Sequence, residues 1–167
     1  MRDRFWYELT QAKHNEIYTT LLIGHFRYWS KIVNVVIVVF STAGVMGWGF
    51  WEKAPIVACV IIASISLLKL IFPYFVPSEE QMEKFYKTAD FYSDFYLKLE
   101  SIWFDFENDR ISEVQMQKEF YELKQTEREI STLTNKIHSK PVKSITNKTA
   151  KETDNFFKLN FNTFHHE

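Results

Sequence analysis

Two stretches decide the fold: IVNVVIVVFSTAGVMGWGF at residues 32–50 and IVACVIIASISLLKLIFPYFV at residues 56–76. The first has 19 residues and no charge, and the second has 21 with Lys69 alone. A surface helix of a soluble protein keeps one polar face, and neither stretch has one. At a rise of about 1.5 Å per residue, roughly 20 residues cross the hydrocarbon core of a bilayer. Only Trp51, Glu52, Lys53, Ala54 and Pro55 separate the stretches. So short a connection makes the helices antiparallel, with Pro55 in the first turn of the second, where its missing N–H is no loss. Trp29, Trp48, Trp51 and Tyr74 fall near the expected interfaces, where amphipathic rings prefer to lie. The competing reading, a core hairpin of a soluble protein, lacks any other segment able to cover two such helices. A cleaved signal peptide is disfavoured, because some thirty residues containing Glu8 and Glu16 precede the first stretch.

The expected fold is therefore all-α: an integral membrane two-helix hairpin over residues 32–76 with a cytoplasmic helical bundle. Chain-wide averages of 25% charged and 46% hydrophobic residues conceal this segregation. Orientation follows from Lys and Arg near the span ends. Residues 1–31 carry Arg2, Arg4, Lys13, Arg27 and Lys31, the loop only Lys53, and the far end Lys84 and Lys87. Lys69 can snorkel toward that same end. Both termini are expected in the cytoplasm, with the hairpin loop facing outward, into a periplasm or extracellular space. The single cysteine, Cys59, lies within the second span and cannot form an internal disulfide.

Residues 1–31 read as one amphipathic helix, with Phe5, Trp6, Leu9, Ala12, Ile17, Leu21, Leu22 and Phe26 as its apolar stripe. It runs into the first span and either lies on the membrane surface or packs on other helices. Residues 78–140 read as a helical hairpin. Ser78 with Gln81 opens its first helix, which ends near Glu107 before a turn at Asn108, Asp109 and Arg110. Ser112 with Gln115 opens the second, which carries Met116, Phe120, Leu123, Ile130 and Ile137 and stops before Pro141. Residues 141–148 read as a linker, and Thr149 with Glu152 as the cap of a short helix through about Asn160 before the tail.

No enzyme signature emerges: there is no P-loop, GxGxxG, HExxH or nucleophile elbow. Gly44, Gly47 and Gly49 lie in the first span, leaving only Gly24 elsewhere. No catalytic residue, metal ligand or cofactor is expected. His14 and His25 are about 16 Å apart on one helix, too far to share a metal within a chain. The spans carry sharper signals. Asn34 and Ser41 share a stripe on the first, and Cys59, Ser66 and Lys69 share one on the second. Polar residues in a bilayer face another helix or water. Ala43 with Gly47, next to Gly44, and Cys59 with Ala63 permit close helix approach. These residues are the candidate pore or helix-interface positions. Two helices cannot enclose a water path, so a pore requires a closed homo-oligomer, with a tetramer the expected closure.

The layout resembles a known family. The aromatic helix FWYELTQAKHNEIY at residues 5–18 leads into a tight two-span hairpin, followed by SEEQMEKFYKTADFYSDFYLKLESIWFDF at residues 78–106. This resembles, over residues 5–138, the SLATT-type two-transmembrane proteins of bacterial conflict systems, including the membrane component of Hailong-type anti-phage defence. The resemblance is one of architecture and residue texture, and neither the acidic character of residues 78–140 nor the added residues 149–161 map onto it. It implies a pore-forming or membrane-disrupting effector, controlled by a nucleotide or oligonucleotide from a partner nucleotidyltransferase. Residues 78–140 hold nine basic and fourteen acidic residues, so such an anion needs a local basic cluster. Lys13, His14, Arg27 and Lys31 are the candidates, with Lys13 and Lys31 sharing a face five turns apart. The alternative from the residues alone is a membrane-anchored helical scaffold with no pore.

Overall fold

The structure, a computed structural model, describes residues 2–46, 55–72, 76–137 and 142–161. Among these residues it is entirely helical, with no strand. Helix α1 is Arg2–Met46, α2 Pro55–Ile71, α3 Glu79–Glu107, α4 Glu113–Ile137 and α5 Lys143–Phe161. The chain divides into two units. A bundle unit comprises Met1–Ile23 and Gln81–Glu167, and an apolar unit comprises Gly24–Glu80.

In the bundle unit, the start of α1 turns Phe5, Leu9 and Ala12 inward at three- and four-residue steps. They meet Phe95, Tyr96 and Leu99 of α3, Met116 and Phe120 of α4, and Phe161 of α5. The N-terminal stripe is thus satisfied by helix packing. Phe5, Leu9, Leu99, Met116 and Phe120 have no solvent exposure. Burying each such side chain contributes about 1.5–3 kcal/mol.

The ends of α3 and α4 lie where the capping residues place them. Helix α3 closes in a Schellman arrangement: Arg110 N–H donates to Asp105 O at 2.8 Å and Asp109 N–H to Phe106 O at 3.1 Å. Asp109 takes the left-handed position with φ 54°. Helix α4 opens on Ser112, whose hydroxyl accepts the Gln115 N–H at 3.3 Å. The Gln115 side-chain amide donates forward to Glu119 at 3.1 Å.

Helix α5 corrects the sequence reading. It begins at Lys143, so residues 143–148 are helical and not a linker. The Val142 carbonyl accepts from the N–H groups of Ile145 and Thr146, and its own N–H donates to the Tyr18 hydroxyl at 3.4 Å. Thr149 does not cap. It is fully buried mid-helix, and its hydroxyl donates to Ile145 O at 2.9 Å. The inward stripe is Ile145, Thr149, Thr153 and Phe161, half of it threonine, which is why it carries so little apolar signal.

In the apolar unit, α1 continues helical to Met46, and residues 47–50 of the expected first span lie outside the described residues. Helix α2 starts with Pro55 at its first position and is described to Ile71, and residues 73–75 of the expected second span lie outside the described residues.

Truncating Leu9 to Ala should destabilise the bundle unit by about 2–5 kcal/mol, by lost transfer energy plus the cavity left behind. Leu159→Ala, at a side chain 82% exposed, should cost under about 0.5 kcal/mol. Thermal unfolding in mild detergent, followed by near-ultraviolet circular dichroism of the packed rings, separates the two.

Candidate functional site

Three features concentrate chemistry: the exposed apolar helices, the cation sites of the bundle, and an aromatic cavity. The apolar helices are unusual in what they leave uncovered. Val35, Val38 and Val39 on α1 are each more than half exposed, as are Ile56, Val57, Val60, Ile62, Leu67 and Leu70 on α2. A soluble helix hides such a run on one face, whereas here the aliphatic surface continues around the helix. Ser64 lies within it, with its hydroxyl turned back onto Val60 O at 2.8 Å, so no donor is left unmatched. Among the described residues, α1 alone is long and apolar enough to cross a membrane, and the apolar part of α2, Cys59–Ile71, is shorter.

The expected pore or interface residues are placed as follows. Asn34, Cys59, Ser66 and Lys69 are exposed. Asn34 lines a shallow 310 Å³ groove on α1 with Lys31, Val35, Val38 and Val39. Ser41 and Gly44 lie on α1, their surroundings outside the described residues, and Gly47 is outside them altogether. A separate 520 Å³ groove runs between α1 and α2, lined by His25, Phe26, Trp29 and Val33 facing Leu68, Ile71 and Phe72.

The four expected anion-binding residues are not one free cluster. Lys13 is mostly covered, its ammonium 2.9 Å from Glu16 and lodged 4.6 Å and 4.4 Å from the ring centres of Tyr96 and Phe156. That is a cation–π clamp joining α1 to α3 and α5. His14 is half-buried, and burial lowers its pKa. Arg27 and Lys31 are exposed, one turn apart on the part of α1 in the apolar unit. An anion reaching Lys13 must first displace the Glu16 carboxylate, so Arg27 and Lys31 are the accessible members of the set.

Another cation is held more firmly than sequence reading suggests. Lys124 of α4 donates to Glu8 of α1 at 2.7 Å and to Glu127 at 2.6 Å. Burial alone lowers its pKa, but the two carboxylates outweigh burial and raise it. Burial and the Glu127 charge raise the pKa of Tyr92 nearby. Burial and a 2.6 Å hydrogen bond to Glu100 push the Tyr96 hydroxyl far above the usual phenol range.

The third feature is a cavity of 810 Å³ where the starts of α1, the end of α3 and the end of α5 converge. Trp6, Trp103, Phe104, Phe157 and Phe161 wall it. The rings interlock, Trp6 meeting Phe161 edge-on at 5.2 Å and Phe157 at 5.4 Å. Two ion pairs, Arg2 with Glu107 and Lys158 with Asp154, stand at the mouth. Spacing on single helices does not reveal this cavity, because its walls come from three segments far apart in sequence. Among the described residues, no three His, Cys, Asp or Glu side chains are grouped as metal ligands. No family model, no curated protein and no solved structure matches the chain.

Two predictions follow from the charges. Burial holds the His14 pKa below the ordinary imidazole value, so protonation favours the unfolded chain, and the bundle should lose stability as pH falls below that ordinary value. His14→Gln should flatten the slope of melting temperature between about pH 7 and 5, the range over which imidazole titrates. Lys13→Glu should destabilise the bundle, because it sets a second carboxylate beside Glu16 against two ring faces. A melting temperature unchanged by Lys13→Glu would show the clamp contributes nothing.

Proposed function

We propose that this chain is an integral membrane effector whose hairpin, the later part of α1 followed by α2, crosses the bilayer twice with both termini cytoplasmic. On this reading it assembles as a homo-oligomer, with a tetramer the expected closure, and opens or disrupts the bacterial inner membrane in anti-phage defence. The observation that carries the membrane part is the exposed aliphatic surface of the apolar unit, which lipid covers and water does not. Residues 24–46 of α1 extend about 35 Å and the 17 residues of α2 about 26 Å, against a hydrocarbon core of about 30 Å.

The exposed Asn34, Cys59, Ser66 and Lys69 are then polar positions that another copy covers, or that line a water path between copies. Control by a nucleotide or oligonucleotide from a partner nucleotidyltransferase is part of the same proposal. Its contact falls on Arg27 and Lys31, since Lys13 is engaged. The scaffold alternative is favoured by one observation, the exposed Leu97, Phe104 and Leu159 on the bundle, which suit protein docking.

Expressed with its gene neighbours, the protein should depolarise cells on phage infection. Replacing residues 32–76 with an unrelated two-span hairpin should abolish that. Unchanged potential in protected cells would refute the pore. Retained protection after the hairpin swap would establish the scaffold reading instead. Charge reversal at both Arg27 and Lys31 should remove control while leaving membrane insertion intact.

A further inference from the structure

We infer that the aromatic cavity of the bundle unit is a binding site for a small organic cation, an alkylammonium or guanidinium group on an apolar body, which competes with Arg2 for the Trp103 wall. The inference rests on the bundle unit alone and stands whether or not the chain acts as a pore. A volume of 810 Å³ falls within the range of about 300–1,000 Å³ typical of small-molecule sites. Among the described residues its walls are largely aromatic, with Asn108 and the two ion pairs as the polar groups that line it. That is the composition of sites with an apolar body and a few orienting polar groups.

The sign of the ligand is decided by the rings. The four mouth charges cancel, two cations against two carboxylates, so ion pairing alone favours neither sign. An aromatic face carries the negative end of its quadrupole and attracts cations. The molecule displays that preference with its own side chain. The Arg2 guanidinium stands 5.7 Å from the Trp103 ring centre and 5.8 Å from that of Phe106, and pairs with Glu107. Arg2 is thus a stand-in for the ligand: a cation over an indole, with a carboxylate at its edge.

The stand-in is also exchangeable. Its side chain is 60% exposed, and exposed ion pairs hold weakly because solvent screens them and ordering two side chains costs entropy. A soluble cation with an apolar body fills the cavity as Arg2 does not, adding burial against Trp6 and Phe157 to the same contact. Once Arg2 has left, Glu107 on α3 and Asp154 on α5 stand at the same mouth to receive the ligand's charge. Lys158, held to Asp154 along its own helix at 2.6 Å, is displaced outward by the same exchange.

The test uses the full chain in an uncharged detergent, titrated by calorimetry with benzyltrimethylammonium and, separately, with benzylphosphonate. The cation should bind the unmodified chain, and Arg2→Ala should tighten it about fivefold by removing the internal competitor. In the Arg2→Ala chain, adding Glu107→Gln and Asp154→Asn should weaken the cation about tenfold, as loss of charge-assisted contacts does. Both carboxylates are partly exposed, so these substitutions leave the fold standing. Tighter binding of benzylphosphonate would overturn the inference and assign the cavity to anions. Failure of the cation to bind the Arg2→Ala chain would overturn it outright. Equal affinity with and without Arg2, or with and without the carboxylates, would show that the cation binds elsewhere.

Discussion

The bundle depends on the burial of the first three turns of α1. Phe5, Leu9 and Ala12 enter a layer made by α3, α4 and α5, and none of those helices has an apolar face that is closed without them. Each contact is dispersion and water release, individually small, and the layer is stable because the side chains interlock without exposure. Around this post α3 and α4 fold back on one another through the turn at Asp109, and α5 lies over Trp6 by way of Phe157 and Phe161. The aromatic cavity is the space that remains where three helix ends lined with large rings meet. Rings this large pack edge to face and do not fill such a corner.

The charges of the bundle follow the same logic. Lys13, Lys124, Arg2 and Arg4 look from their sequence positions like the positive end of an orientation signal or a phosphate cradle. In the folded unit each is engaged. Lys13 is clamped between rings, Lys124 bridges Glu8 and Glu127, Arg2 sits on Trp103, and Arg4 donates to the Tyr121 hydroxyl at 3.0 Å. Desolvation makes an unpaired buried charge costly, so half-covered lysines acquire carboxylates as partners. Of the four candidate anion-binding residues, Arg27 and Lys31 are therefore the exposed cations. This is a physical reason to look for anion control there and for cation recognition at the other end of the same helix.

Helix α1 changes chemistry without a break. Its residues up to Ile23 have a buried stripe of the soluble kind, and farther on Val35, Val38 and Val39 are exposed along one face. A helix satisfies its own backbone in either medium, so the same secondary structure continues while the side chains select protein or lipid as their solvent.

What the sequence determined was local. Pro55 at the start of α2, the Ser112 cap and the turn at residues 108–110 each depend on neighbours within a few residues, and each is found where the pattern places it. Helix α5 was half-legible, because Thr149 and Thr153 bury their methyl groups, Thr149 with its hydroxyl returned to the backbone, and threonine does not read as apolar. The tertiary structure alone decided the rest: the clamp on Lys13, the bridge at Lys124 and the cavity between Trp6, Trp103 and Phe161. Each joins side chains roughly a hundred or more residues apart in the chain, or unites helices whose facing sides no periodicity specifies. Spacing along a helix says which residues share a face, and only packing says what that face meets.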